Sequence, residues 1–273
     1  MRKLIDCHIH TARCGHATGT VDECVRAGVA AGLYGMVITE HLALPEEFDP
    51  GNHLSMPACD LEAYLVEVDF ARQRYPKIIV VTGLEADYLY GRAADTAAAL
   101  QAARGHADGA TVVLGSVHFI DHWAFEDPHH IEEWDSRDVD QAWQDYFALW
   151  SEATASGMFD VMSHPDLVKK FGHFPSFDPA DLYAEAARVA GESGVLIEVS
   201  TAGLRKPVGE LYPGPALLAE FRAAGVNATV GSDAHEPAEV GYRIDAAYDA
   251  LCAAGYESVS FPDGRGEWKE LAL

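Results

Sequence analysis

Positive charge is scarce in this chain: 19 Lys and Arg stand against 43 Asp and Glu, a formal charge of −24. A phosphate backbone needs a footprint of basic side chains, so nucleic acid is not an expected partner. An anionic small substrate stays compatible, because bound cations can reverse a local potential. Cysteine is sparse too. The five thiols (Cys7, Cys14, Cys24, Cys59 and Cys252) are odd in number and form no CxxC pair, which argues against a disulfide framework or a thiolate metal site. No apolar run approaches the length that crosses a bilayer. Arg2-Lys3 lead directly into a strand-like segment without the apolar centre of a signal peptide. The expectation is a cytoplasmic protein with no membrane partner. No linker or low-complexity segment interrupts the 273 residues, so one domain over 1–273 is expected.

What is present is a repeat of strand and helix. Short apolar runs predict strands near 3–7, 35–39, 78–83, 111–117, 159–163, 195–199 and 227–231. Ala-rich amphipathic segments predict helices near 21–31, 60–74, 93–104, 138–156, 179–193, 214–224 and 237–254. Asp178-Pro179-Ala180-Asp181 is a helix start, and Gly157, Gly194 and Gly225 sit where left-handed caps end helices. Strands that are apolar throughout, such as Val195–Val199, imply a parallel sheet covered by helices. Val259–Phe261 is a candidate further strand. The loops 41–59 and 119–137 are long for connections and are candidate substrate covers.

Imidazoles and carboxylates follow these runs with regularity. His8-x-His10 closes the first, with His16 in the next loop. His41 closes the second and Glu85 the third. His118 and His164 follow the fourth and fifth, and Asp233 and His235 follow the last. Alternation along a strand puts His8 and His10 on one face, with Cys7 on the other. Any one of these groups alone reads as a helix cap or a core histidine. Together they belong at one end of one sheet, which suits several ions, since imidazole and carboxylate accept Zn, Fe or Mn. A closed barrel gathers strand ends around one point, whereas an open sheet spreads them along a line. His53, His106, His122, His129, His130 and His173 lack this context.

His8-x-His10, His16, Thr39-Glu40-His41, Gly83-Leu84-Glu85, Ser116-Val117-His118, Ser163-His164-Pro165 and Ser232-Asp233-Ala234-His235 together resemble the polymerase-and-histidinol-phosphatase (PHP) superfamily. The resemblance implies a distorted seven-stranded (β/α)7 barrel, TIM-barrel-like, with three divalent ions at the C-terminal strand ends. Carried over, one ion takes His8, His10, Glu85 and Asp233. A second shares Glu85 and adds His118 and His164, and a third takes His16, His41 and His235. The segment Glu198–Pro207, with Glu210 and Tyr212-Pro213, looks like the histidinol-phosphatase branch, in which the arginine corresponding to Arg205 meets the substrate phosphate. Ser200 stands where that branch has asparagine, and Gly241-Tyr242-Arg243 also departs from its pattern.

The implied reaction is hydrolysis of L-histidinol phosphate, a small phosphorylated substrate, by attack of a metal-bridging hydroxide. Asp233 or His235 would help protonate the departing alkoxide. Other phosphomonoesters (a nucleotide, a sugar phosphate or a phosphotyrosine protein) are the alternative. From the residues alone, Arg205 is notable because it follows the one strand that supplies no ligand, and its fork can grip two phosphate oxygens. Lys206 and Arg243 are further candidates for the same pocket. In the loop 119–137, Asp121, Asp127, Glu132 and Glu133 are possible contacts for a cationic substrate group.

Overall fold

Runs of Val, Ile and Met without polar alternation are stable as strands only where helices cover the sheet. The computed structural model describes residues 2–105, 112–265 and 267–273. Its first four strands are β1 (Ile5–Asp6), β2 (Gly35–His41), β3 (Ile79–Asp87) and β4 (Val112–Ser116). A small hairpin, β5 (Phe119–Ile120) and β6 (Trp123–Ala124), precedes β7 (Val161–Met162), β8 (Leu196–Ser200) and β9 (Ala228–Gly231). Apart from that hairpin the strands pair in parallel, in the order β1-β2-β3-β4-β7-β8-β9.

The sheet curls until its edges meet. The Cys7 N–H donates to the Val230 carbonyl and the His10 N–H to the Ala234 carbonyl, both at 2.8 Å. These bonds join β1 to β9 and give the seven-stranded, nearly closed barrel expected from the repeat. Around it run α1 (Val21–Ala30), α2 (Leu61–Arg74), α3 (Ala93–Arg104), α4 (Val139–Ala155), α5 (Ala180–Ser193), α6 (Pro215–Ala223) and α7 (Ile244–Ala253). Each helix buries one stripe. That of α4 carries Trp143, Tyr146, Phe147 and Trp150, and burial of a large apolar side chain contributes roughly 1.5–3 kcal/mol. At the end of α5, Gly194 takes φ 74° and its N–H closes on the Ala190 carbonyl, the left-handed cap that the sequence predicts.

One expected element needs correction. The helix expected over 237–254 is divided into a short 3-10 turn, Pro237–Glu239, and α7, because Gly241 and Arg243 take left-handed φ values of 75° and 49°. The strand expected at Val259–Phe261 exists as β10 (Ser258–Pro262). It pairs antiparallel with β11 (Trp268–Ala272), unforeseen from sequence, and not with the barrel. Phe261 lies against the first residue of β2, where a Cβ on Gly35 would come within 2.3 Å of its ring, so this hairpin covers the N-terminal mouth.

The long loops carry structure of their own. Asp49 ties the first by accepting from the backbone of His53, Leu54 and Ser55 and from the Ser55 hydroxyl. The second holds β5, β6 and a 3-10 stretch, and Phe48 meets Phe119 edge-on across the two, 5.2 Å between rings. Thr111 and His106 lie outside the described residues. No helix among those described is long and apolar enough to cross a membrane.

Candidate metal centre

Parallel strands place all their C-terminal ends on one rim, so residues just beyond them converge. Glu85, in β3, lies at the middle. Its Oε2 is 3.1 Å from His8 Nε2, 3.3 Å from His10 Nε2 and 3.3 Å from His41 Nδ1. Its Oε1 is 3.1 Å from His164 Nε2 and 3.8 Å from His118 Nε2. Asp233 faces the same cluster, with Oδ1 3.4 Å from His10 Nε2 and 3.7 Å from His8 Nε2. His16 and His235 close the open side, their Nε2 atoms 3.0 Å apart. Asp233 and His164 have left-handed φ values of 51° and 28°, a conformation non-glycine residues keep only where the surroundings enforce it.

The donors fit divalent ions. Among the described residues, potential ligating atoms come within 4.8 Å of one another in four sets: His8–His10–Asp233, Glu85–His118–His164, His10–His41–His235 and His41–Asp87–His118. His8 Nε2, both nitrogens of His10, and His164 Nδ1 are buried without a hydrogen-bond partner, a costly state unless something else occupies those lone pairs.

The outer ring nitrogens are held. His8 Nδ1 is 2.9 Å from Glu198 Oε1 and His118 Nδ1 is 2.9 Å from Asp87 Oδ1. Nδ1 of His16 faces the Cys14 carbonyl and that of His235 the Asp233 carbonyl. An acceptor at Nδ1 takes the ring proton there and leaves Nε2 as a lone pair toward the cluster, the usual arrangement around a ligated imidazole.

Charge follows the same plan. Burial by itself would raise Glu85 and Asp233, but the facing imidazoles, His8 foremost, hold both carboxyls well below the usual range. Burial, reinforced by the charge on His10, draws His235 down to about 3, so its ring is neutral near pH 7. Two ionised carboxylates amid imidazoles form a cation-ready cavity in an otherwise acidic protein.

Comparisons with known proteins identify the family. The PHP domain profile matches residues 6–202. The probable histidinol-phosphatase of Deinococcus radiodurans is 38% identical over 96% of this chain and 97% of its own length. The chain belongs to the PHP-domain family, in its histidinol-phosphatase branch. The histidinol-phosphatase of Bacillus subtilis is 26% identical, covering 88% of this chain and 97% of that protein. The crystal structure of histidinol phosphate phosphatase from Lactococcus lactis, complexed with Zn, L-histidinol and phosphate, superposes with a TM-score of 0.80. It is 20% identical and covers 98% of this chain and 99% of that one, so the likeness is one of fold.

Around this PHP centre the remaining candidates are distributed unevenly. Arg205 reaches it from the loop after β8: Nη2 donates to the carbonyls of Ser232 and Asp233, each at 2.9 Å, and Nε lies 2.8 Å from Glu239 Oε1. Its Nη1 is buried and unpartnered. Lys206 follows it and feels the charges of Asp233 and Arg205. Arg243 stands apart at the start of α7, half exposed, beside Asp245. Asp121 and Glu132 are exposed, Asp127 caps the 3-10 stretch and Glu133 pairs with Arg137. His129 and His130 are exposed, while His122 stacks on Phe48 and His173 on Trp134.

Sequence reasoning passed over the carboxylates behind the histidines. Glu198 also accepts from the His164 N–H at 2.9 Å, joining two candidate ligands through one fully buried side chain. Asp6 accepts from the Ser232 N–H and hydroxyl and from the Gly241 N–H, while Arg205 donates to the Ser232 carbonyl, so both fix the backbone at Ser232. Glu40 accepts from the Thr11 N–H and lies 3.7 Å from His10 Nδ1. One signal was available for Asp87. It stands two residues after Glu85, hence on the same strand face.

Proposed function

We propose that the chain is a metal-dependent phosphomonoesterase that hydrolyses L-histidinol phosphate to L-histidinol and phosphate, using three divalent ions (Zn, Fe or Mn). The observation that carries this reading is the position of Glu85, whose two oxygens face the imidazoles of His8, His10 and His41 on one side and His118 and His164 on the other. A carboxylate so placed suits a bridge between ions. Similarity to named histidinol-phosphatases along nearly the whole chain supports the substrate. Phosphate monoesters hydrolyse very slowly in water, and bound divalent ions supply an acidified water and neutralisation of the phosphoryl oxygens.

The chain's own residues perform the rest. Nη1 of Arg205 is free to donate to a phosphoryl oxygen while its Nη2 edge stays fixed on the Ser232 and Asp233 carbonyls. The guanidinium is thereby oriented before substrate arrives, which lowers the ordering cost. Asp233 or His235, which lie together at the rim with His235 Nδ1 on the Asp233 carbonyl, would help deliver a proton to the departing alkoxide, directly or through a bound water. Ser116 and Ser163 both point at Glu85 Oε1 and are engaged there, so direct attack by water without a phosphoenzyme is the favoured course. Inversion at phosphorus is expected, and retention in a chiral phosphate experiment would refute it.

The deciding assay compares phosphate release from L-histidinol phosphate, nucleoside monophosphates and p-nitrophenyl phosphate, with and without chelator. Strong preference for the first and loss of activity on chelation are expected. Equal turnover of all three would replace the substrate by phosphomonoesters at large, and full activity without metal would overturn the mechanism.

A further inference from the structure

The helix α2 carries apolar side chains on two opposite faces. Leu61, Tyr64, Leu65, Val68 and Ala71 are buried, and the Tyr64 hydroxyl reaches the carbonyls of Ile38 in β2 and Gly83 in β3, each at 2.7 Å. On the far side Val66 and Phe70 stand one turn apart, 47% and 67% exposed. Phe70 is the most exposed large apolar side chain among the described residues. With about 3.6 residues per turn, Glu62, Ala63, Gln73 and Arg74 share that arc, and all four are exposed. Apolar side chains scattered singly on a surface need no partner, whereas two stacked at i and i+4 form a stripe of the kind that packs on another helix.

The charges around this stripe are sorted by sign. Asp60, Glu62, Glu67 and Asp69 occupy the first part of the segment, and Arg72, Arg74 and Lys77 follow. Three cations within six residues occur nowhere else in a chain that has only 19. Glu62 and Lys77 are exposed and make no ion pair among the described residues. Arg74 pairs with Asp22 at 2.9 Å, yet its side chain stays 69% exposed. A chain charged −24 repels a second copy of itself over most of its surface. Contact between copies therefore needs a place where acid can meet base, and α2 provides one.

We propose that this face of α2 is the contact of a twofold homodimer, in which α2 packs antiparallel on α2 of a second copy. An axis level with Val68 sets Val66 of each copy on Phe70 of the other. The same axis brings Glu62 of each copy to Arg74 of the other, because the two positions lie equally far, about 9 Å, on either side of the midpoint. At a shallow helix crossing of about 20° the axes at that distance diverge by only about 3 Å, which a glutamate and an arginine span. A twofold contact demands such self-complementarity, since one patch must serve both copies. A different protein as partner would not require acid and base to stand symmetrically about the apolar centre.

The test is sedimentation equilibrium of the full-length, metal-loaded protein from low to high micromolar concentration, with circular dichroism confirming the fold of each variant. The wild type should reach twice the chain mass as concentration rises. Phe70→Asp removes the apolar anchor from both halves of the contact and should raise the dissociation constant about 100-fold or more. Glu62→Arg and Arg74→Glu should each raise it about tenfold by setting like charges together. Their combination in one chain should return it to near the wild-type value, a recovery that requires the two positions to face each other across copies. A wild type of single-chain mass at every concentration would overturn the proposal. So would a dimer left intact by a folded Phe70→Asp, since the copies would then meet elsewhere, or a double variant weaker than either single change.

Discussion

Glu198→Gln tests whether the groups behind the histidines govern the centre. The two carboxylate oxygens each accept one bond, from His8 Nδ1 and from the His164 N–H, both at 2.9 Å in a fully buried position. Glutamine keeps the shape but offers one oxygen and one NH2, so it can satisfy only one of the two donors. One charge-assisted bond becomes neutral, and the other donor is left facing a donor. The first change costs about 1 kcal/mol and the second about 1–3 kcal/mol. If His8 loses its acceptor, its ring proton is no longer confined to Nδ1. Disturbing such an outer contact typically lowers metal affinity 10–100-fold, about 1.4–2.7 kcal/mol.

The assay is metal retention against a graded chelator, read by elemental analysis, with circular dichroism to confirm the fold. Glu198→Gln should release metal at about one-tenth to one-hundredth of the chelator strength the wild type withstands, with a modest fall in melting temperature. Wild-type retention by a folded Glu198→Gln would refute the idea that this carboxylate sets the His8 tautomer.

A Cβ at Gly231 would come within 2.0 Å of Glu198 Oε1 and 2.5 Å of His8 Cβ, so Gly231→Ala should lose metal much as Glu198→Gln does; unchanged metal content would show that the barrel yields there. Arg205→Lys cannot hold the Ser232 and Asp233 carbonyls while presenting a second donor to phosphate. It should raise KM about tenfold or more and speed amide hydrogen exchange over 233–235, and unaltered exchange would count against Arg205 as a clamp. Burial alone would raise the Glu126 carboxyl, yet Lys170 and then His118 bring it down to about 2. A depressed folded value means that its stabilisation is complete above the ordinary glutamate range and lost as pH falls toward 2. The difference in urea midpoint between wild type and Glu126→Gln should therefore shrink from pH 6 to pH 3, and a widening gap would contradict the pairing.

The sequence by itself determined the repeat and the rim. Apolar runs without alternation can only be buried parallel strands, and the metal-competent groups at the ends of six of the seven runs must reach the same end of a barrel. That reasoning needs local pattern alone, which is why His8, His10, His41, Glu85, His118, His164 and Asp233 could be named from their spacing. The family resemblance added Arg205's connection to phosphate.

Only the tertiary structure decided what stands behind and in front of those groups. Glu198 meets His8 across 190 positions of chain and Asp6 meets Ser232 across 226, and no periodicity encodes such partners. Local charge likewise pointed to Asp121, Asp127, Glu132 and Glu133, while the fold turned Glu126 inward to Lys170. β11 escaped notice because Trp268–Ala272 is mostly exposed and Lys269-Glu270 interrupt its apolar residues, and it is a strand only by pairing with β10. Ligand type and spacing are local properties, whereas proton position, pocket charge and edge pairing exist only once distant segments touch.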